Sequence, residues 1–300
     1  MLRWRIAVSV ILVPALIALF WLDSLLGNSA PVFLALCLIL ALRGSYEMVE
    51  LLKTRNLVPS FAAAGTGSVL AVLSGWMHFW MSSSGQQHHI LISMGWIGTA
   101  MALSFCGLLV REARVFEEPG RSMESLGSNT LIVMYAGFLL AVTAQFRWFP
   151  DPRLCYFAIG SMIIAVKSGD IGAYTFGRLW GKRKMAPRLS PGKTWMGFIG
   201  ALVGSALGGW LWLNYAGRLF DVRPVAASAG VVIAYGMFLG VIGLIGDLCE
   251  SLIKRDVAKK DSASLMPGFG GLLDLLDSPL FAGPFALAWW HIWPPAIVSG

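Results

Sequence analysis

Charged side chains are scarce in this 300-residue sequence. Asp, Glu, Lys and Arg make up only 13% of it, while hydrophobic residues make up 57%. Soluble domains carry roughly 25% charged residues and disordered chains carry few apolar ones, so the composition excludes both classes. Four scattered cysteines without a CxxC pair exclude a disulfide framework. Long apolar runs are present instead, and they predict a polytopic membrane protein.

Nine apolar runs approach the roughly 20 residues that a membrane-spanning helix needs. The first run follows Arg3 and Arg5, as in a signal peptide, but no small-residue cleavage site follows it, which favours an uncleaved helix. The second run is short unless it extends through 43–52, and the sixth is also short. The predicted spans are 6–22, 30–42, 59–80, 90–110, 129–146, 154–166, 195–216, 226–246 and 271–291.

The positions of lysine and arginine predict the orientation in the membrane. With the N-terminus in the cytoplasm, 19 of the 23 Lys and Arg residues fall on the cytoplasmic side, as the positive-inside rule requires. The net charge of +7 is therefore explained by topology and requires no nucleic-acid partner. The predicted cytoplasmic segments are 1–5, 43–57, 111–128, 167–193 and 247–270.

A glycine-rich basic segment, predicted to be a loop, follows the sixth run at 167–193. Glycine lets a backbone approach a ligand closely, and Lys and Arg donate to phosphate oxygens. A loop that only anchors topology is the alternative, but it requires neither Asp170 nor so many glycines. The sequence Gly192-Lys193-Thr194 resembles the end of a P-loop. However, Pro187 stands where that motif requires its first glycine, so a P-loop is excluded.

Two acidic helical faces border a second basic segment, at 247–270. Asp274 and Asp277 share a face at the start of the last apolar run, and Asp247 ends the run before the segment. A carboxylate at that depth needs a partner or a cation, and carboxylates from two helices can hold Mg²⁺. The alternative is that these are helix-end charges paired with nearby lysines. The first face is formed by Asp247, Glu250, Ser251 and Lys254.

The second basic segment carries a long pattern with fixed spacing, S-x-x-K-R-x4-K-D-x-A followed by P-x-x-G-G-x-x-D-x-x-D. This pattern resembles the signature of the phosphatidate cytidylyltransferase family, also called CDP-diacylglycerol synthases. The resemblance covers about 150–290, whereas the first 150 residues agree only in being hydrophobic. The matching residues are Ser251, Lys254, Arg255, Lys260, Asp261, Ala263, Pro267, Gly270, Gly271, Asp274 and Asp277.

Two positions depart from the family signature. Phe269 replaces its histidine and Leu275 replaces its arginine. Phe269 cannot transfer a proton, and Leu275 cannot contact a phosphate. An inactive family member is therefore an alternative, although the motif aspartates and the Lys-Arg pair favour an active variant.

The resemblance implies transfer of a cytidylyl group from CTP to phosphatidate, which gives CDP-diacylglycerol and pyrophosphate in phospholipid biosynthesis. It also implies Mg²⁺ held by Asp247 and Asp274, with a second cation compatible with the same chemistry. Lys254, Arg255 and Lys260 would neutralise phosphate charge as catalytic residues. The implied substrate-binding residues are Asp170, Ser190, Lys193, Thr194, Ser251, Asp261, Gly270, Gly271 and Asp277.

The predicted fold is all-α, a polytopic integral membrane protein with about nine transmembrane helices and cytoplasmic active-site loops. The chain is divided into N-terminal transmembrane helices, 1–150, and a catalytic transmembrane region, 151–300. A bacterial inner membrane is expected, and a homodimer is left open. Two other functions also stay open, a related CTP-using enzyme acting on another lipid and an anion transporter. A transporter would place its charges near the membrane midplane, often in repeated halves, and neither feature is found.

Overall fold

The computed structural model describes residues 2–27, 29–81, 90–149, 152–220, 224–263 and 270–298. The signature positions Pro267 and Phe269 lie outside these ranges. Helices dominate the described chain. Their bounds are α1 Leu2–Leu25, α2 Pro31–Lys53, α3 Phe61–Met81, α4 Ile90–Arg114, α5 Arg121–Ile132, α6 Leu139–Thr143, α7 Pro152–Trp180, α8 Trp195–Tyr215, α9 Ala229–Asp256 and α10 Leu272–Ile292.

Six helical segments of the described chain are long and apolar enough to cross a membrane, which makes this a helical integral membrane protein. Helices α1, α3 and α10 occupy the other three predicted runs, but they are not among these six. The count of nine transmembrane helices therefore stays a prediction. The six segments are Pro31–Lys53, Ile90–Arg114, Arg121–Trp148, Leu154–Trp180, Trp195–Phe220 and Ala229–Asp256.

Two predicted boundaries can be compared directly with the helices. The extension of the second run is confirmed, since α2 continues to Lys53. The loop predicted over 167–193 is wrong in its first half, since α7 continues to Trp180. Glycines of that half bring two helices together instead of loosening a loop, because a β-carbon at Gly172 would lie 2.1 Å from the carbonyl oxygen of Gly200 on α8.

The described residues also form a π-helix (Val133–Phe138), two 3-10 helices (Ala144–Trp148 and Ala216–Phe220) and four short strands. Strands β1 (Lys184–Ala186) and β2 (Ser190–Thr194) form an antiparallel hairpin between α7 and α8, in which Lys184 pairs with Thr194. Strands β3 (Pro224–Ala226) and β4 (Ala296–Val298) form a second antiparallel pair. The architecture remains predominantly helical, as predicted.

The chain forms two compact units. The first comprises Met1–Pro150 and Val257–Leu275, and the second comprises Asp151–Asp256 and Leu276–Gly300. The segment 257–275, which carries much of the signature, thus packs with the N-terminal helices. This division follows packing and not function, so the separate catalytic region at 151–300 stays a prediction.

Small residues pack the second unit. A β-carbon at Gly236 on α9 would lie 2.6 Å from the Cα of Ala206 on α8, and one at Gly204 would lie 2.4 Å from the carbonyl oxygen of Ser168 on α7. Close backbone approach of this kind drives helix association in a membrane, where apolar burial alone gives little preference for protein over lipid. It holds α8 against both α7 and α9, the two helices that carry Lys167, Asp247 and Glu250.

Candidate active site

Three carboxylates converge in the second unit. Asp247 and Glu250 lie on α9 and Asp277 lies on α10, and one oxygen from each lies within 4.8 Å of the other two. Glu250 and Asp277 are buried, with 3% and 8% of their surface exposed, and Asp247 is half-buried. Like charges at this separation repel strongly away from bulk water, so the arrangement requires cations.

Each of these three carboxylates has a lysine beside it. Lys193 Nζ lies 2.9 Å from Asp247 Oδ2, and Lys254 forms an ion pair with Glu250 one helical turn away. On α7, Lys167 Nζ lies 3.8 Å from Asp277 Oδ1 and 3.1 Å from Asp170 Oδ2. We call Asp247, Glu250, Asp277, Lys167, Lys193 and Lys254 the acid–lysine cluster. It places cationic donors next to a potential cation site.

The β1–β2 hairpin positions Lys193. Thr194, which follows it, is the N-cap of α8: its buried hydroxyl oxygen accepts a hydrogen bond from Gly197 N at 3.1 Å. The preceding lysine is thereby turned toward α9, where its Nζ also donates to Leu244 O at 3.4 Å. The two-residue sequence Lys193-Thr194 therefore combines a charge with the cap that orients it.

The last turns of α9 carry two more predicted residues. Ser251 Oγ donates to Asp247 Oδ1 at 3.4 Å, which supports the orientation of that carboxylate. Arg255 is exposed, and its Nε donates to Leu189 O at 3.3 Å in the hairpin turn. Helix α9 and the hairpin are thus joined by side chains that the sequence assigned to substrate and catalysis.

The first unit holds five of the predicted residues that the structure describes. Asp274 Oδ2 accepts hydrogen bonds from Ser262 N and Ser262 Oγ, both at 2.8 Å, and from Gly271 N at 2.7 Å. Gly270 has a φ of +90°, a conformation that favours glycine. The signature residues of this unit are Lys260, Asp261, Gly270, Gly271 and Asp274.

The structure brings some predicted residues together. Asp247, Lys193 and Ser251 form direct contacts, and Asp277 joins them through the three-carboxylate group. Asp170 lies beside Lys167, and Ser190 pairs with Ala186 in the hairpin. The predicted sharing of a cation by Asp247 and Asp274 links residues of different units and stays a prediction.

Sequence reasoning missed two side chains. Lys167 was noted only as part of a basic segment, yet it contacts two of the predicted acids. Glu47 has no role in the sequence prediction, yet it is only 1% exposed and accepts hydrogen bonds from Leu272 N and Leu273 N, both at 3.0 Å. Its spacing from Arg43 in an otherwise apolar run was the available signal.

Residues 3–293 match a family model described as the cytidylyltransferase family. The chain belongs to the cytidylyltransferase family. It is 28% identical over 299 residues to the phosphatidate cytidylyltransferase of Haemophilus influenzae, with 95% of this chain and 97% of that one aligned. It is 32% identical over 242 residues to the phosphatidate cytidylyltransferase of Bacillus subtilis, with 81% and 83% aligned. The Chlamydia trachomatis enzyme of the same name is 41% identical over 127 residues, about two-fifths of each chain.

The extent of the cytidylyltransferase match corrects one part of the sequence analysis. The signature resemblance covers about 150–290, whereas the match to the family begins at residue 3. Hydrophobic helices vary in sequence while keeping their composition, so the short signature was visible by inspection and the longer, weaker similarity was not. The N-terminal helices, including the one that carries Glu47, are part of the family region.

Proposed function

We propose that this membrane cytidylyltransferase converts CTP and phosphatidate to CDP-diacylglycerol and pyrophosphate. Its nearly full-length similarity to a bacterial phosphatidate cytidylyltransferase supports this substrate pair. The observation that carries the proposal is the acid–lysine cluster, which side chains of α7, α9, α10 and the hairpin form. It combines ligands for a cation with donors for phosphate, in a protein embedded among its lipid substrates.

The reaction joins two polyanions, and charge neutralisation is its main physical demand. A phosphate oxygen of phosphatidate attacks the α-phosphorus of CTP, a new phosphoanhydride bond forms, and the bond to the β-phosphate breaks as pyrophosphate leaves. A phosphate monoester is already anionic near neutral pH, so the attacking oxygen requires no strong general base. Positioning and electrostatic stabilisation then supply most of the catalysis.

A divalent cation fits the carboxylates of this site. Mg²⁺ prefers oxygen ligands and usually binds one or two carboxylates together with substrate phosphates. From the sequence motif, the proposed ligands are Asp247 and Asp274, and the proximity of Glu250 and Asp277 to Asp247 supports adding those two. A bound Mg²⁺, with or without a second cation, supplies positive charge to the triphosphate.

The basic residues are proposed to bind phosphate oxygens. When Mg²⁺ and CTP bind, the lysines beside the carboxylates can donate to the phosphates instead, which conserves the charge balance. Lys193 is the best placed for the triphosphate because the hairpin and the α8 cap orient it. Lys254, Arg255 and Lys260 are proposed to neutralise phosphate charge.

The other polar residues are proposed to shape the substrate site. The α8 cap by Thr194 and the contact between Ser251 and Asp247 support roles in holding the charged groups. The positive φ of Gly270 and the hydrogen bond from Gly271 N to Asp274 Oδ2 support a role of the glycine pair in holding Asp274. The remaining members of this proposed set are Asp170, Ser190, Asp261 and Asp277.

The proposed location is a bacterial inner membrane, with the N-terminus and the active site facing the cytoplasm. The asymmetric distribution of Lys and Arg supports this orientation, and the bacterial sources of the relatives support the membrane. CTP is a cytoplasmic metabolite, so the orientation agrees with the proposed reaction.

A lipid panel tests the proposed function. Purified protein in detergent or vesicles is incubated with labelled CTP and Mg²⁺, and with phosphatidate, a polyprenyl phosphate or no lipid. Label in CDP-diacylglycerol only when phosphatidate is present is the expected result. Label in a different lipid would identify that lipid phosphate as the substrate instead. The absence of labelled lipid in every arm would favour an inactive family member.

A further inference from the structure

Glu47 is a buried carboxylate that no described sequence motif includes. Its side chain is 0% exposed, and both of its oxygens accept hydrogen bonds. Oε1 accepts from Arg43 Nε at 3.1 Å and from Leu272 N at 3.0 Å, and Oε2 accepts from Leu273 N at 3.0 Å and from Ser262 Oγ at 3.2 Å. A buried carboxylate satisfied in this way is rigid, because each contact restricts the others.

The backbone groups that donate hydrogen bonds to Glu47 lie at the start of α10. Leu272 and Leu273 are the first two residues of α10, and their N–H groups have no partner within the helix. A negative charge at a helix N-terminus is also stabilised by the helix dipole. Helices are usually capped by a residue next to them in sequence, whereas this cap lies 225 residues before Leu272.

Ser262 connects Glu47 to the signature residue Asp274. Its hydroxyl oxygen lies 3.2 Å from Glu47 Oε2 and 2.8 Å from Asp274 Oδ2. A hydroxyl has one hydrogen to donate, so the two carboxylates share one donor and constrain each other through it. Asp274 Oδ2 is further held by two backbone N–H groups, those of Ser262 and Gly271.

The space around this network explains why the signature has two adjacent glycines. A β-carbon at Gly271 would lie 2.4 Å from Glu47 Oε2 and 2.1 Å from Ser262 Oγ. One at Gly270 would lie 2.4 Å from Asp274 Oδ2. The backbone at 270–271 is therefore enclosed by Glu47, Ser262 and Asp274, and any side chain there would displace them.

We infer that Glu47 is a positioning residue for the proposed cytidylyl transfer, acting with Ser262 to fix the start of α10 and the Asp274 carboxylate. The inference rests on the proposed function, since Asp274 is a proposed cation ligand. Glu47 touches no substrate by this account. Glu47 lies on α2 and acts on the signature residue Asp274 through Ser262.

Glu47→Gln is the most direct test, because glutamine has the same size but only one acceptor oxygen. Its amide N–H₂ would face donors, so at least one of the contacts to Leu272, Leu273 and Ser262 is lost. Displacing Asp274 by a fraction of an ångström is expected to lower kcat on the order of 10- to 100-fold. The KM for CTP is expected to change less than about threefold, because the phosphate-binding lysines are untouched.

Glu50→Gln is the matched control. Glu50 lies on the same helix, is exposed and pairs with Lys53 at 2.9 Å. Its kcat and KM are expected to equal those of the wild type. Thermal unfolding of each purified variant, followed in detergent, separates positioning from folding: the inference requires Glu47→Gln to lose kcat at a temperature where it is fully folded.

Ser262→Ala provides a second route if Glu47→Gln cannot be purified. It removes only the shared hydroxyl and is expected to lower kcat about three- to tenfold. The double variant is expected to be no slower than Glu47→Gln alone, because both changes act through one network. Additive losses in kcat would contradict the proposed route through Ser262.

The outcomes separate the inference from the function on which it rests. A wild-type protein that labels no lipid defeats the proposed function itself. A wild-type protein that labels lipid, with a folded Glu47→Gln or Ser262→Ala variant that keeps wild-type kcat, overturns the positioning role. A kcat that falls only in proportion to the unfolded fraction also overturns it, since Glu47 would then be merely structural.

Discussion

Single residues in this protein combine structural and chemical roles through ion pairs. Asp247 is held by Lys193 at 2.9 Å and by Ser251 at 3.4 Å, and it lies near two further carboxylates. Removing one partner of a half-buried ion pair leaves the other charge uncompensated, so its cost exceeds that of a surface pair. The acid–lysine cluster is therefore expected to respond sharply to single substitutions.

Asp247→Asn tests the proposed cation site. An amide of the same size removes one negative charge, and Mg²⁺-dependent transfer of label from CTP to lipid is expected to fall on the order of 100-fold or more. Asp274→Asn is expected to act in the same direction. Asp256→Asn, at the exposed end of the same helix, is the control and should retain activity. Wild-type activity in folded Asp247→Asn would remove Asp247 from the cation site.

Lys193→Ala tests the proposed triphosphate contact. The loss of one charge-assisted phosphate contact is expected to raise the KM for CTP about tenfold. Lys184→Ala removes an exposed lysine from the other strand of the hairpin and should leave the KM unchanged. Steady-state kinetics at saturating phosphatidate measures both. An equal KM in the two variants would place Lys193 outside the substrate site.

Secondary-structure elements were predictable where hydrophobicity alone decides them. Each of the nine apolar runs overlaps described helical structure over most of its length, and the second run extends to Lys53 as predicted. The continuation of α7 was missed because Lys167, Asp170 and several glycines were interpreted as a loop. Their true use, close contact with α8 and ion pairing, depends on residues distant in sequence, which a single run does not reveal.

The close contact between Gly172 on α7 and Gly200 on α8 leads to a testable prediction about the packing of these two helices. Gly172→Ala places a methyl group 2.1 Å from Gly200 O, so the helices must separate. The expected cost is about 1–3 kcal/mol, seen as a lower thermal midpoint in detergent. Gly95→Ala on α4, where a β-carbon meets no atom within 4 Å, is the control and should not lower the midpoint. Equal midpoints for the two variants would contradict the close packing.

The contacts of Glu47 with Leu272, Leu273 and Ser262 could not be predicted from the sequence. The signature spacing predicted Asp274 and the glycine pair, because a fixed motif is local in sequence. It could not predict that a residue in the second helix caps α10, because 225 residues separate the two. Contacts of this kind depend on the folded chain, and a single sequence taken alone contains no direct record of them.

At the scale of the whole molecule, the scarcity of charge defines a membrane protein and the few clustered charges define its candidate site. The match to the family extends from residue 3 to residue 293, so the N-terminal helices lie within the family region. The proposed reaction requires the basic hairpin to face the cytoplasm, where CTP is available.

Orientation is testable by cysteine labelling. Lys184 in the hairpin is exposed, so Lys184→Cys in a background whose four cysteines are replaced provides one reactive thiol. A membrane-impermeant maleimide is expected to label it in inside-out vesicles and to fail in intact spheroplasts. Labelling of intact spheroplasts alone would place the hairpin outside and contradict the proposed topology.

The central claim is that the α-phosphate of CTP passes to phosphatidate and the other two phosphates leave together. Purified protein is therefore supplied with Mg²⁺ and phosphatidate, and with CTP labelled either at the α- or at the γ-phosphate. The account predicts that α-label appears in CDP-diacylglycerol, that γ-label appears only in pyrophosphate, and that both signals are lost in Asp247→Asn. Release of γ-label as orthophosphate without any labelled lipid, or equal product from Asp247→Asn, would contradict it.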